Sequence, residues 1–436
     1  MNTIENIKER FRLMQSTNGS SALTAIEQNA FDNFNKLGIP TAKNEEWKYT
    51  RIGTVFNKEY SFSSGKTTGS FGVKDLNDIR LPGHEEANEL VFVNGIFSSS
   101  LSSVRSAALI VTSLEKAAAN EYSDIVSRHL EHSNNYIKDG IHALNTAFAG
   151  NGIFIHVKKG KIVEHPVYIY NITDSRNGNS FSQLRTLIHV AEQAHIQLIE
   201  TYATIGSAES FVNQVMEVIV EKDALVEYYK IQNNASTANQ VSTTHFRQVG
   251  KSFIHAVTIS LNGGIVRNNL NMAMEAEYSE AHLYGLYFLN GNSHIDNHTI
   301  VDNVKPHCLS NELYKGIIDD NATAVFNGKI FVQPQAQKIN AFQSNKNVLL
   351  SNNATVNTKP QLEIFADDVK CSHGCTVGQL DEEALFYLRS RGVNEKTAKS
   401  LLVHSFAVDI LEYIKPQAIR NYIDQLISER LEFDLV

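Results

Sequence analysis

The stretches AHIQLIETYA (Ala194–Ala203), VMEVIV (Val215–Val220) and LVEYYKIQ (Leu225–Gln232) decide the fold class of this chain. Each is a short run rich in Ile, Val and Tyr that polar residues bound, which is typical of β-strands. Comparable runs fill the chain from about Gly152 onward. No convincing helical stretch lies between them, so the pattern disfavours a βαβ arrangement and predicts a mainly β protein.

A weak repeat underlies these strands. Polar residues lead into an alanine and then an apolar strand at Ala194, Ala224, Ala281, Ala322 and Ala354; the first two are 30 residues apart and the last two 32. A period near thirty in an all-β region predicts a solenoid, here a parallel β-helix whose turns each supply several short strands. The alternative is a sandwich or barrel with coincidental spacing. A solenoid also has an exposed end that needs a cap or a partner.

The segments on either side of the strands have helical patterns. Apolar residues at helical spacing predict helices before Pro40, and the Asn94-Gly95 pair predicts a β-hairpin. From Asp381 the pattern predicts three helices in a small bundle or docking module, with Leu402, Phe406, Ile410 and Ile414 as an apolar stripe. We therefore divide the chain into an N-terminal helical or mixed domain (1–150), a β-helix core (151–375) and a C-terminal helical domain (376–436).

Composition narrows the class of protein. With 39 Lys and Arg against 47 Asp and Glu, the formal charge is −8, which argues against a nucleic-acid binder. No apolar run reaches the roughly 18 residues that span a bilayer, and the charged N-terminus does not resemble a secretory signal. Three cysteines cannot form a disulfide framework, so we expect the protein to be located in the reducing cytoplasm. Gly65-Lys66-Thr67 lacks the earlier glycine of a P-loop, so we expect no nucleotide site.

One cluster of possible metal ligands lies in the segment from His294 to Cys308. His294, Asp296 and His298 share one face of a predicted strand, and His307 and Cys308 follow closely. Imidazoles and carboxylates in this arrangement can bind zinc or iron. The interpretation we favour is a polar solenoid face whose histidines are hydrogen-bonded.

The second cluster is KCSHGC (Lys370–Cys375), which contains two of the three cysteines. It is incomplete as a structural zinc site, because no second Cys or His pair follows at a suitable spacing. It also lacks the Cys-x-x-Cys spacing of a redox pair and the base that a nucleophile needs. Buried cysteines at a strand-to-helix transition remain an equal alternative from these residues alone.

The longer run FADDVKCSHGCTVGQLDEEALFYLRSRGV (Phe365–Val393) resembles the signature of the SufB/SufD family, the non-ATPase subunits of the SUF iron–sulfur cluster assembly machine. NEEWKYT (Asn44–Thr50) resembles the N-terminal signature of the SufD branch. The order of helices, strands and helices agrees with that family over essentially the whole chain.

The resemblance implies a right-handed parallel β-helix, a single-stranded solenoid flanked by helical domains. It implies a non-enzymatic scaffold subunit that pairs with SufB through the β-helices and docks the SufC ATPase on its C-terminal helices. A transient iron–sulfur cluster would then be shared with SufB, and isolated chains would pair as homodimers. The family's motif residues fall on Cys371 and His373, which are the expected cluster ligands. Cys375 stands where other members have a small residue, so its accessory role stays open.

The physical chemistry of these residues agrees with that expectation. Thiolate and imidazole both suit iron, and one or two ligands from one subunit make an incomplete site that can release its product. Two other functions stay open at this point. One is a stand-alone zinc protein that uses Cys371, His373 and Cys375. The other is a β-helix enzyme acting on acidic polysaccharides, which the acidic composition disfavours.

Overall fold

The core of the molecule consists of two β-sheets with ten strands each. The structure, a computed structural model, describes residues 3–17, 21–62 and 71–432. Sheet A contains Ser61–Phe62 (β1), Leu109–Ser113 (β4), Ile153–Val157 (β5), Ser180–Val190 (β7), Ser210–Val220 (β9), Ala238–Gln248 (β11), Ile265–Met274 (β13), His294–Asn303 (β15), Thr323–Val332 (β17) and Thr355–Ile364 (β19). Sheet B contains Asn88–Val93 (β2), Ile96–Phe97 (β3), Val167–Asp174 (β6), His195–Ile205 (β8), Leu225–Asn233 (β10), Phe253–Asn262 (β12), Glu280–Leu289 (β14), Leu309–Ile318 (β16), Ile339–Leu349 (β18) and Val369–Gly378 (β20).

Consecutive strands of the core alternate between the two sheets, and each strand pairs in parallel with the strand two places along the chain. This is a parallel β-helix, as predicted. The predicted hairpin is also present: β2 and β3 pair antiparallel around Asn94 and Gly95, which both have positive φ.

The thirty-residue repeat corresponds to one turn of the solenoid at both ends of the core. Leu225 pairs with His195, so Ala224 stacks over Ala194 before strands of sheet B. Thr323 pairs with Thr355, so the other alanine pair precedes strands of sheet A. Ala281 belongs to neither of these stacked alanine pairs, because it lies within β14 and pairs with Ile254. The alanines therefore mark two different corners of the solenoid.

Both outer faces of the solenoid are covered by helices, so strands such as β9 are buried along their whole length. The N-terminal helices lie over sheet A, where Phe31, Trp47 and Phe56 share an apolar cluster with Phe181 and Phe211. The helices of this part are Thr3–Thr17 (α1), Thr24–Leu37 (α2), Gly53–Phe56 (α3), Val73–Asn77 (α4), Leu114–Ala119 (α5), Ser123–His129 (α6) and Gly140–Thr146 (α7), with 3₁₀ turns at Glu45–Trp47, His132–Asn135 and Ala149–Asn151.

The C-terminal helices are Glu382–Ser390 (α8), Glu395–Leu411 (α9) and Gln417–Arg430 (α10). Val403, Ala407 and Ile410 of α9 are buried in one cluster with residues of sheet B. The three predicted helices are thus present, with α9 and α10 packed on the solenoid. The predicted stripe is shifted, because Leu402 and Phe406 are only partly buried while Val403 and Ala407 face the sheet.

Only α8 stays clear of the apolar core. Asp381 caps its N-terminus by accepting hydrogen bonds from the backbone amides of Glu383 and Ala384, and α8 itself contributes no buried residue. Phe386 and Tyr387 expose 73% and 57% of their surfaces. This helix therefore presents aromatic side chains to solvent, which an unpartnered helix of a soluble domain rarely does.

The domain boundaries stay a prediction, although the strands extend past both limits of the core: β2 and β4 precede residue 151, and β20 runs to Gly378. Gly65-Lys66-Thr67 and most of its loop lie outside the described residues. Within the described ranges, no helix combines the length and the apolar composition needed to cross a bilayer.

Candidate functional site

The candidate site lies on β20, the last strand of sheet B. β20 pairs on one side with β18, and among the described residues no strand pairs with its other side. Cys371 pairs with Ala341, which is fully buried, and the Cys371 side chain is half-buried against the same core cluster. Because side chains alternate along a strand, His373 and Cys375 project from the same face, toward the interior of the solenoid. At this open end both are exposed.

The structure therefore brings Cys371, His373 and Cys375 to the rim of the last turn. Burial raises the pKa of the Cys371 thiol, although a hydrogen bond with the Ala341 backbone opposes this effect. The thiol is thus protonated at neutral pH and is not an activated nucleophile. Successive positions on one face are about 6.6 Å apart, which is too far for one ion to bind all three side chains. Among the described residues, no three His, Cys, Asp or Glu side chains are placed to hold one metal ion.

A column of polar residues leads from the rim into the solenoid. His373 stacks over Gln343, which in turn stacks over Glu312. The Gln343 amide donates a 2.7 Å hydrogen bond to Glu312 Oε2, and both residues are at most 3% exposed. Desolvation raises the pKa of Glu312 to about 7, while hydrogen bonds from Thr299 and Gln343 oppose the shift. At neutral pH the carboxyl behind the rim is therefore about half protonated, whereas an ordinary glutamate is ionised.

Exposed apolar side chains surround the rim. Phe342 on β18 and Val377 on β20 expose 42% and 47% of their surfaces, and Phe365, directly after β19, exposes 60%. The two final strands also leave backbone groups unpaired along their outer edges. An unpaired edge with apolar residues beside it is a surface that pairs readily with another chain.

The second predicted cluster is divided by the fold. His294, Asp296 and His298 do share the outer face of β15, but His307 and Cys308 lie in the turn before β16. Cys308 is buried in the apolar core, where burial raises its pKa to about 11. The five residues are therefore not brought together as one site.

The three residues on β15 instead form a hydrogen-bonded junction with the N-terminal segment, as in the interpretation we favoured. Asp296 Oδ2 accepts hydrogen bonds from Thr50 Oγ1 at 2.5 Å and from Arg267 Nη1 at 2.9 Å. His298 Nε2 lies 2.9 Å from Asp296 Oδ1. Arg267 and His298 together hold the pKa of Asp296 well below its ordinary range, despite burial.

Beside this junction is a cavity of about 390 Å³ between the N-terminal segment and sheet A. The Arg267 guanidinium stacks on the Trp47 ring at 4.0 Å, and Trp47 Nε1 donates to Asp139. Lys329 also lines the cavity, but Glu46 pairs with it at 2.6 Å. Glu46, Asp139, Arg267 and Lys329 already have partners here, and through Glu46 and Trp47 the NEEWKYT stretch attaches the N-terminal domain to the solenoid.

The sequence patterns did not reveal Gln343, Glu312 or the apolar rim. Gln343 and Glu312 lie 30 and 61 positions before His373, and only strand pairing aligns them. The thirty-residue repeat could have located them. Positions about 30 and 60 residues before His373, one and two turns of the solenoid earlier, are at or next to these two residues.

Comparison with known proteins gives one consistent family. A family model described as "SUF system FeS cluster assembly, SufBD core domain" matches residues 171–406, and one described as "SufBD protein N-terminal region" matches residues 5–169. An iron-sulfur cluster assembly SufBD family protein of Synechocystis is 30% identical over 98% of this chain and 95% of its own length. The iron-sulfur cluster assembly protein SufD of Escherichia coli is 28% identical over 91% of this chain and 90% of its own length. The protein of the same name from Bacillus subtilis is 25% identical over 72% of this chain and 72% of its own length.

Proposed function

The chain belongs to the SufB/SufD family and is most like SufD, and from that premise we propose that it is a non-enzymatic scaffold subunit of the SUF complex. Its role in SUF iron–sulfur cluster assembly follows from the family. The finer proposal is that it pairs with SufB, that a nascent cluster is built where the two chains meet, and that the SufC ATPase drives the process.

One observation carries this proposal: the last strand presents two thiols and an imidazole at an open end of the solenoid. Cys371, His373 and Cys375 lie on the interior face of β20, next to its unpaired edge. Thiolate and imidazole are suitable iron ligands, but one chain supplies too few at bonding distance for a closed site. Such a site needs a second subunit, and it can release its product when the subunits separate.

The free edges of β19 and β20 support pairing with SufB. A homologous solenoid can add its own last strands to these edges through main-chain hydrogen bonds. The exposed Phe342, Phe365 and Val377 would be covered by such a partner. Burial of apolar surface and of unpaired backbone groups would then stabilise the pair.

Helix α8 supports the docking of SufC on the C-terminal helices. Phe386 and Tyr387 are exposed on α8, which in the described part of the chain packs mainly against α9. We expect Phe386→Ala to leave the melting temperature within about 1 °C of the wild type, because an exposed side chain contributes little to stability. The variant should nevertheless lose at least tenfold of the co-purified SufC. Full retention of SufC would rule out this helix as the docking surface.

The central test replaces the imidazole. His373→Ala in a co-expressed complex with SufB and SufC should lower reconstituted iron and sulfide at least tenfold. Its circular dichroism and melting temperature should be unchanged, because His373 is exposed and has no core contact to lose. Ser372→Ala is the matched control, since Ser372 is exposed on the same strand but on its opposite face. Wild-type cluster content in His373→Ala would refute the role of this residue.

A further inference from the structure

The cavity between the N-terminal segment and sheet A has the size of a small-molecule site. Its volume of about 390 Å³ lies within the range of about 300–1,000 Å³ that is usual for such sites. Asn271, Ile300 and Lys329 line it from the neighbouring strands β13, β15 and β17. Trp47 and Tyr136 line it from the N-terminal side. The cavity therefore lies on the outer face of sheet A, whereas β20 belongs to sheet B.

Asn271 is a buried amide whose hydrogen-bonding groups are unused. Its side chain is 1% exposed, and neither Nδ2 nor Oδ1 has a hydrogen-bond partner among the described residues. Burial of an amide without hydrogen bonds costs free energy, and native structures contain few such groups. Asn269 shows the usual situation two positions earlier on the same face of β13. Its Nδ2 donates to Thr243 Oγ1 at 3.2 Å, and its Oδ1 accepts from Arg267 Nε at 3.1 Å.

The charged side chains around the cavity balance one another. Three basic and three acidic residues line it: Lys138, Arg267, Lys329, Glu45, Glu46 and Asp139. Lys329 pairs with Glu46 at 2.6 Å, and Glu45 pairs with Lys359 at 2.6 Å. Arg267 pairs with Asp296 at 2.9 Å. A charged ligand would lose its hydration without gaining an unpaired counter-ion beside Asn271, so the cavity favours a neutral ligand.

The rest of the lining suits an aromatic ring. Trp47, Tyr136 and Phe331 line the cavity, and aromatic side chains make favourable stacked or edge-to-face contacts with a ring. At roughly 30 Å³ for each water molecule, 390 Å³ corresponds to about 13 waters, which is room for one ring with a substituent. Leu37 and Lys138 are exposed members of the lining, so the cavity reaches solvent and a small molecule can enter it.

We propose that this cavity binds a small neutral aromatic carboxamide. Rotation about the terminal torsion of Asn271, which is broad for asparagine, turns its amide toward the ligand. The ligand NH₂ group then donates to Oδ1, and the ligand carbonyl oxygen accepts from Nδ2, while the ring lies among Trp47, Tyr136 and Phe331. A carboxylate has no donor for Oδ1 and would leave it unpaired. This site goes beyond the proposed function, because it uses neither the rim nor a partner subunit.

The first experiment measures nicotinamide binding to the full wild-type chain by fluorescence. Trp47 reports binding directly, because it is the only tryptophan and lines the cavity. Nicotinamide should give a saturable change with a dissociation constant below about 1 mM, within reach of a ligand with so few atoms. Nicotinate has the same ring with a carboxylate in place of the carboxamide, and it should bind at least tenfold more weakly. This comparison needs no variant, so it does not depend on the folding of a mutant.

The second experiment replaces Asn271 with an apolar residue of similar size. Asn271→Leu should bind nicotinamide at least tenfold more weakly. It should also melt about 2 °C or more above the wild type, because it removes two buried polar atoms that have no partner in the free chain. Asn269→Leu is the matched variant on the same strand and face. It breaks the hydrogen bonds to Thr243 and Arg267, so it should melt below the wild type.

Four results would overturn the inference. Two concern the wild type: no saturable signal from nicotinamide, and equal affinity for nicotinamide and nicotinate. The third is unchanged nicotinamide affinity in Asn271→Leu. The fourth is an equal loss of stability in Asn271→Leu and Asn269→Leu, which would mean that water already satisfies Asn271. None of these results bears on cluster formation with SufB, which the His373→Ala reconstitution tests separately.

Discussion

Glu312→Gln gives the most direct test of the polar column behind the rim. Glu312 is 1% exposed inside the solenoid, and the Gln343 amide donates a hydrogen bond to it at 2.7 Å. Apart from desolvation, only the Thr299 hydroxyl and the Gln343 amide shift its pKa, and no charged group is among the causes. Desolvation therefore dominates and raises the pKa to about 7, from an ordinary value of 4.5.

The magnitude follows from these two pKa values. The folded chain binds a proton more tightly than the unfolded chain does, so ionisation of Glu312 opposes folding. Its contribution to stability is fully present below pH 4.5 and is lost as the pH rises through 7. At about 1.4 kcal/mol per tenfold difference, the loss amounts to about 3 kcal/mol above pH 7. Glutamine keeps the shape and an acceptor for Gln343 but cannot ionise.

The assay is urea unfolding at several pH values between 3 and 8, followed by the fluorescence of the single tryptophan, Trp47. The free energy of unfolding of Glu312→Gln relative to the wild type should rise by about 2.5 kcal/mol from pH 5 to pH 8. Glu227→Gln is the control with the opposite sign. Burial acts to raise the pKa of Glu227, but hydrogen bonds from Lys415 and Gln197 outweigh burial and lower it. That variant should lose stability at neutral pH and approach the wild type below pH 4.5.

A difference between Glu312→Gln and the wild type that does not change with pH would refute this reasoning. It would mean that Glu312 keeps an ordinary pKa, and hence that water or an ion reaches the carboxyl in solution. The interior of the solenoid behind the rim would then contain water.

Two further predictions concern packing and charge. Gly316→Ala should lower the melting temperature by 5 °C or more, or prevent folding, because the added methyl group would overlap the ring of Tyr287. Gly374→Ala is the control: open space surrounds Gly374, so this variant should melt like the wild type. Arg267→Met should cost about 3 kcal/mol of unfolding free energy in urea, because it removes one of the two charged partners of the buried Asp296 carboxylate. Adding Asp296→Asn should recover part of that loss, and equal stability of the single and double variants would contradict a pairing role.

The sequence by itself determined the class of fold and pointed to the candidate site. Short β-rich runs and two pairs of alanines about thirty residues apart favoured a parallel β-helix over a sandwich or barrel, because each pair repeats one corner of the solenoid in successive turns. The KCSHGC stretch located the candidate ligands, since few other residues in the chain carry thiols. These features are local, or repeat locally, and so can be read along the chain.

Only the tertiary structure decided which surfaces are free. Pairing between residues about thirty positions apart placed Glu312 and Gln343 in line behind His373, and it left β20 as an unpaired edge. Likewise, the face of α9 that is buried depends on its docking against sheet B, so Val403 lies inside where the helical pattern favoured Leu402. Strand register and helix docking are set by contacts between distant segments, and a sequence pattern contains no direct record of such contacts.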